Sequence, residues 1–290
     1  MFDFLKYRYV CLAFFLVLVA AFIGGYWQRG GFNYSVDFTG GTAVLVQFAQ
    51  AVNAEQIHQI LEAHGQYKGV EIRELAGNQA LVRVQEFEGD SQGIGGRITA
   101  DLQQGLTGNK LELLQGNSVG SSVGDSLRWD SIKATLLVLL AVLLYIALRF
   151  KLLFALGAVI ALLHDLLFIL VYFLLTNSEI SMEVIGAILM VLAYSMNDTI
   201  VVFSRIRENL KKMAGSSIAT IINTSLNQTL RRTTLTSSAT ALVVLSLIFF
   251  GGEMLRGLSV ALLLGIVIGT YSSIFVASPI MLLFYKLKQN

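Results

Sequence analysis

An aspartate lies where an apolar helix should carry none. The stretch Met182–Asn209, MEVIGAILMVLAYSMNDTIVVFSRIREN, is long, apolar and almost free of helix breakers, which predicts a membrane-spanning helix. Within it sits Asp198, with Tyr194, Ser195 and Asn197 beside it. Asp198 precedes Arg205, the first cation at the end of the run, by seven residues. At about 1.5 Å of rise per residue its carboxyl is roughly 10 Å inside the polar boundary. An ionised carboxylate there costs at least ~2.5 kcal/mol on insertion scales. Pairing it or keeping it protonated lowers that cost. The chemistry open to such a group is proton uptake and release inside the bilayer. Its structural alternative is a hydrogen bond to a neighbouring helix.

Two further groupings share this setting. His164-Asp165 lies thirteen residues beyond Lys151 in another apolar run, hence roughly 20 Å in and near mid-bilayer. Histidine changes charge near neutral pH, and lipid cannot satisfy such a pair, so it must face protein or water. A proton relay and a plain inter-helix contact both fit. The second grouping is Arg231–Thr240, RRTTLTSSAT, in which Thr236 and Ser237 belong to a dense hydroxyl series behind two arginines. Such residues allow close helix approach and bond across helices, or line a hydrated path. An arginine reaching inward from the membrane edge would favour the ionised form of a nearby acid. Moving it away would release that acid to bind a proton. Arg232 and Asp198 are thus candidates for a switched pair.

These groups need a scaffold, and composition says which. Of 290 residues 55% are hydrophobic and 14% charged, with 26 Gly and one Pro, which predicts a polytopic α-helical membrane protein with a modest soluble part. The lone Cys11 permits no intrachain disulfide. No Cys/His cluster has metal-ligand spacing, and no Gly-rich phosphate loop of the Walker type is present, so neither a metal nor ATP is expected. Six apolar runs occur: Val10–Trp27, read as a retained anchor, and then about Ile132–Leu148, Leu152–Leu175, Met182–Phe203, Leu235–Phe250 and Leu258–Tyr285. Lys6, Arg8, Arg149, Lys151, Arg205, Arg207, Lys211, Lys212, Arg231, Arg232, Lys286 and Lys288 fall on one side; Arg256 alone falls in the short loops opposite. The positive-inside rule makes both termini cytoplasmic.

The expected organisation is a tail and first span over 1–28, an extracytoplasmic domain with linkers over 29–130, and a five-helix region over 131–290 with a cytoplasmic loop at 205–232. In the second segment, strand signals at Thr42–Phe48, Val70–Leu75, Ala80–Gln85 and Lys110–Leu114 alternate with helical ones at Ala54–His64 and Ile94–Leu106. The order β-α-β-β-α-β predicts a ferredoxin-like α+β domain. Its charged residues form no catalytic grouping, so no enzyme activity is expected. Gly116–Ser126, rich in Gly and Ser, reads as a hinge, and Ile218–Leu230 as a helix lying on the cytoplasmic interface. Gly265 and Gly269 form a small-residue packing face.

Five motifs then fall in one order: VDFTGGT (Val36–Thr42), VGSSVGDSL (Val119–Leu127), LLHD (Leu162–Asp165), AYSMNDTIVVFSRIREN (Ala193–Asn209) and SLNQTLRRTTLTS (Ser225–Ser237). Together they resemble the SecD/SecF family of the bacterial protein-export machinery, on its SecF side, over nearly the whole chain. Ser121 stands where the family usually has Pro, and Ser204 where Asp is common.

The resemblance implies half of a bundle of the resistance–nodulation–division (RND) type, completed by a SecD-like subunit. It implies a multi-pass protein of the bacterial inner membrane that couples proton flow to translocation of unfolded preproteins through SecYEG, with YajC a possible companion. Protons are then the coupling ion and no other cofactor is implied; membrane lipids are neighbours and nucleic acid is not. Asp198 matches the family's intramembrane aspartate and Arg232 its arginine on the next span, by the register of RTTLTS. Asp37, Gly40 and Gly41 match its motif after the first span. Competing readings are an RND-like exporter of lipids or small molecules, a scaffold without transport, and an intramembrane aspartyl protease using Asp165 and Asp198, for which the usual YD and GxGD settings are absent.

Overall fold

A computed structural model of the chain describes residues 2–87, 93–150 and 152–289. Lys151, one of the cations assigned to the cytoplasmic side, lies outside them. The described residues form two compact units, Met1–Asn33 with Lys133–Asn290, and Tyr34–Ile132.

The helical unit opens with a 3-10 turn, Phe4–Tyr7, and helix α1, Arg8–Arg29. The second unit contains α2 (Val36–Thr39), β1 (Gly41–Phe48), α3 (Ala54–Ala63), β2 (Tyr67–Lys68), β3 (Glu71–Leu75), β4 (Gln79–Val84), β5 (Glu86–Phe87), α4 (Ile94–Gly105) and β6 (Leu111–Val119). Helix α5, Ser121–Arg149, leads into α6 (Leu152–Thr176), α7 (Met182–Lys212), α8 (Ile218–Phe250) and α9 (Gly252–Ser272). A π-helical turn, Ser273–Ala277, joins α9 to α10 (Ser278–Gln289). Six helical segments are long and apolar enough to cross a membrane: Phe4–Arg29, Val123–Arg149, Leu152–Thr176, Met182–Lys212, Ile218–Phe250 and Leu255–Tyr285.

The sheet of the second unit has order β3-β4-β1-β6, all antiparallel, which is the ferredoxin-like arrangement. Strict alternation explains its core. Val44, Val46 and Phe48 of β1 and Ala80, Val82 and Val84 of β4 point to one face and are buried. Ile57 and Leu61 of α3 and Ile98 and Leu102 of α4 cover that face at helical spacing. Asn53 caps α3 by accepting from the Glu55 N–H.

Two corrections follow from this unit. The last strand continues past Leu114 to Val119, because Gly116–Val119 find backbone partners on Gly41–Val44. The expected Gly/Ser hinge at Gly116–Ser126 is therefore ordered strand and helix, with Gly120 alone between β6 and α5. Gly116 packs toward α4 instead: a Cβ on it would lie 4.0 Å from the Gly95 Cα.

The helical unit packs around α6, α7 and the last span, Leu255–Tyr285, whose most apolar windows are half buried or more, whereas those of α1, α5 and α8 are largely exposed. Between helices in lipid there is no hydrophobic driving force, so small residues and close contact decide the packing. A Cβ on Gly157 of α6 would lie 2.8 Å from the Ala277 carbonyl oxygen, and one on Gly265 of α9 would lie 2.0 Å from a Val191 methyl of α7. Phe154 and Phe203 close the α6–α7 contact edge to face at 5.1 Å. Pro279 lacks an N–H and its ring crowds the carbonyl four residues back; the widened π turn just before it accommodates both effects.

Two further expectations change here. The loop assigned to 205–232 is mostly helix: α7 runs to Lys212, α8 starts at Ile218, and only 213–217 turn the chain. Good helix formers linked by Glu208 to Arg205 (2.5 Å) and Lys212 (2.6 Å) carry α7 beyond its apolar stretch. Gly215, with φ +97°, permits the turn, and Ser217 caps α8 by accepting from the Thr220 N–H. The segment Ile218–Leu230 is likewise the first part of α8, not a separate interfacial helix. Nothing in RRTT breaks the hydrogen-bond ladder, and a bend there would strand backbone carbonyls.

Candidate functional site

Three long helices position the candidate carboxylate. Asp198 of α7 is 8% exposed, and Ser237 of α8 donates its hydroxyl to Asp198 Oδ2 at 3.3 Å. The Ser237 Oγ also lies 2.6 Å from the hydroxyl of Thr270 on α9, which itself donates to the Ile266 carbonyl at 2.9 Å. Ser237 thus links the acid on α7 to Thr270 on α9. A cavity of about 40 Å³ borders the group, lined among others by Tyr194, Asn197, Thr236 and Ile266. Its walls carry hydroxyl, amide and carboxyl groups that can bond water, and its volume exceeds the ~10–15 Å³ that one water needs.

The other residues of this grouping take distinct positions. Asn197 lines the cavity but is exposed, like Tyr194. Thr236 lines it too, yet its hydroxyl bonds back to the Arg232 and Thr233 carbonyls of its own helix. Arg232 is exposed and makes no ion pair with Asp198. The structure therefore gives Asp198 a hydroxyl partner where the sequence suggested a guanidinium.

His164 and Asp165 build a second polar node, fully buried on α6. Asp165 Oδ2 accepts from Ser195 of α7 at 2.5 Å and from Ser272 of α9 at 2.8 Å, and Oδ1 lies 3.2 Å from His164 Nδ1. The His164 ring is packed among Phe14, Phe15 and Tyr271, and its Nε2 has no hydrogen-bond partner. A neutral imidazole with its proton on Nδ1 leaves only a bare acceptor there, which costs less than an orphaned N–H.

The two nodes flank one helix contact. Thr270 and Ser272 are two residues apart on α9, hence about 200° apart around its axis. One therefore turns to Asp198 and the other to Asp165. On α7, Ser195 precedes Asp198 by three residues, so one helix serves both acids. Gly269 makes this possible: a Cβ there would lie 2.9 Å from Ser195 Cβ. Asp165 is fully buried against Ser195 and Ser272 and is not among the residues lining the cavity beside Asp198, whereas a two-aspartate protease needs both acids at one opening. Thr270, Tyr271 and Ser272 were not singled out in the sequence. The polar run TYSS directly after GIVIG in an apolar span was the available signal.

The family motif after the first span holds a backbone junction. Ser35 Oγ accepts from the Asp37 N–H and donates to Asp37 Oδ2, fixing the short helix α2. Gly40 and Gly41 have φ of +75° and +116°, and a Cβ on Gly41 would meet the Val84 carbonyl oxygen at 2.5 Å. Only glycine fits that approach. Gly124 packs on the same turn, where its Cβ would lie 3.0 Å from the backbone of Phe38 and Gly40.

Residues 99–287 match the family described as protein export membrane protein SecD/SecF, C-terminal, and residues 30–52 match the SecD/SecF GG motif. The protein translocase subunit SecF of Thermodesulfovibrio yellowstonii is 36% identical over 288 residues, covering 98% of this chain and 95% of the relative. That of Desulfurispirillum indicum is 39% identical, covering 95% and 89%. The crystal structure of SecDF, a translocon-associated membrane protein from Thermus thermophilus, superposes with a TM-score of 0.87 at 35% identity. It covers 98% of this chain, which spans 39% of that longer chain. With two motifs, near full-length relatives and a shared fold, this chain belongs to the SecD/SecF family of protein export membrane proteins, as a SecF-type protein translocase subunit.

Proposed function

We propose that this chain is the SecF part of a SecD–SecF assembly that uses inward proton flow to promote translocation of unfolded preproteins through SecYEG. The observation that carries the reading is Asp198: a carboxyl in a membrane-spanning helix, bonded by a hydroxyl of α8 that contacts Thr270 of α9, and bordering a cavity with hydroxyl and amide groups in its walls. A proton can reach it by water, and its two charge states differ in what they ask of Ser237. The ionised acid accepts from the Ser237 hydroxyl; the protonated acid becomes a donor, and that hydroxyl must rotate away toward Thr270. Proton binding thereby alters the contact among α7, α8 and α9, and the second unit follows that change. Asp165 and His164 relay protons on the far side of the same contact.

The partner follows from surface chemistry. Tyr194, Asn197, Arg231, Arg232, Thr234 and Ser238 are exposed beside Asp198, and lipid tails satisfy none of them. A SecD-like subunit with its own intramembrane acid covers this face and completes an RND-type bundle, in the inner membrane with both termini cytoplasmic. One charge crossing about 100 mV yields about 2.3 kcal/mol, so a few protons suffice to shift a two-state arrangement.

The test is preprotein secretion driven by an imposed proton gradient, in vesicles with equal levels of each variant. Asp198→Asn keeps shape and hydrogen bonding, so abundance and assembly should persist while the gradient-dependent part of secretion disappears. Gradient dependence that survives in Asp198→Asn would leave the residue a structural one.

A further inference from the structure

The first span and the end of the last leave between them an opening that the proton-coupling reading does not use. Cys11, Leu12 and Phe15 of α1 face Pro279, Ile280 and Leu283 of α10 across an apolar crevice of about 300 Å³. Arg8 and Tyr9, in the first turn of α1, line this crevice and also a second recess of about 450 Å³. The remaining polar walls of that recess are Asp3, Lys6, Thr220 and Asn223. The two spaces adjoin at Arg8 and Tyr9, one apolar and the other polar.

The donors in the recess outnumber the acceptors. Two cations, Lys6 and Arg8, stand there against one acid, Asp3, and none of the three forms an ion pair with a described residue. Arg8 lies 4.7 Å over the Tyr9 ring and donates to its hydroxyl at 3.1 Å, which leaves most of its five N–H groups for another acceptor. Asn223 gives its amide oxygen to the Phe4 N–H at 2.8 Å, so its NH₂ is also available. Cationic donors at the mouth of an apolar crevice between spans match an amphiphile with an anionic head.

We propose that an anionic phospholipid of the surrounding bilayer binds here, its phosphate against Lys6, Arg8 and Asn223 and one acyl chain in the crevice. The crevice volume is at the low end of ligand sites, roughly 300–1,000 Å³, which suits part of one chain rather than a whole lipid. The recess is walled by the first turns of α8, so occupancy ties α1 and α10 to the helix that supplies Ser237.

Fluorescence quenching by brominated lipids tests this on the full chain in vesicles. Trp27→Phe and Trp129→Phe remove both native tryptophans, and Leu283→Trp, at a side chain 57% exposed, places one reporter on the crevice. Brominated phosphatidylglycerol should quench it more strongly than brominated phosphatidylcholine at equal mole fraction. Each cation near the surface contributes about fivefold in affinity, so Lys6→Gln with Arg8→Gln should bring the ratio close to one. Equal quenching by the two lipids in the parent would overturn the proposal. So would no quenching by either, since the crevice would then be filled by protein. On the unmodified chain, native mass spectrometry should show phosphatidylglycerol retained in preference to phosphatidylcholine, with the preference lost in Lys6→Gln/Arg8→Gln. Equal retention there overturns it as well, whether or not the reporter chain folds.

Discussion

Gly269→Ala should disturb both polar nodes at once, and its size follows from the packing. The new methyl would lie 2.9 Å from Ser195 Cβ and 3.3 Å from Ser195 Cα and Oγ. Restoring a contact of ~3.5–4 Å requires α9 to retreat from α7 by about 0.5–1 Å. Thr270 and Ser272 move with α9, which disturbs the 2.8 Å bond of Ser272 to Asp165 on α6 and the 2.6 Å contact of Thr270 with Ser237 on α8. Overpacking costs about 1–3 kcal/mol and each weakened bond about 0.5–1.5 kcal/mol. Against this, alanine gains about 1 kcal/mol over glycine in a helix interior. The net loss should be about 1–5 kcal/mol. Gly186→Ala in α7, with no atom within 4 Å of the new methyl, should show the helix gain alone and stabilise. The assay is unfolding in detergent followed by circular dichroism, with gradient-driven secretion alongside. Gly265→Ala should be worse, because its methyl would meet Val191 at 2.0 Å. Val191→Ala should partly rescue it, with a coupling above 1 kcal/mol in the double-mutant cycle. Stability and secretion unchanged in Gly269→Ala would refute the claim that this close approach positions the two nodes.

Asp165→Leu should lower abundance sharply, since it leaves Ser195, Ser272 and His164 without their acceptor at about 1–3 kcal/mol for each stranded group. Asp165→Asn keeps an acceptor, so normal abundance with lost gradient-driven secretion would mark a proton carrier, and normal secretion a structural bond. Arg232 makes no ion pair with Asp198, so a point charge should serve as well as a guanidinium fork there, and Arg232→Lys should retain most of the gradient-driven secretion that Arg232→Ala loses. Gly41→Ala combines a φ of +116° with a 2.5 Å approach to the Val84 carbonyl and should cost at least about 1–3 kcal/mol. Limited proteolysis should then open the second unit first.

Apolar run length and alternation are local properties, and they carried most of the architecture. Six runs became six helices able to span a membrane, and the β-α-β-β-α-β order became a ferredoxin-like sheet, because burial periodicity is written residue by residue. An acid in an apolar run was legible for the same reason: no composition of a membrane helix tolerates it without a role or a partner. Where polar segments were concerned, only long-range contact decided. Gly116–Val119 resembles a linker until β1 offers its edge, and residues 205–232 resemble a loop until Asn209 bonds Ser225 and Gln228 across the α7–α8 hairpin. The partners of the acids were hidden for the same reason. Ser195 on α7, Ser237 on α8, and Thr270 and Ser272 on α9 come from three helices, and which hydroxyl meets which carboxylate depends on how closely α9 approaches α7. That distance is set at Gly265 and Gly269 by Val191 and Ser195, more than seventy residues away in the chain.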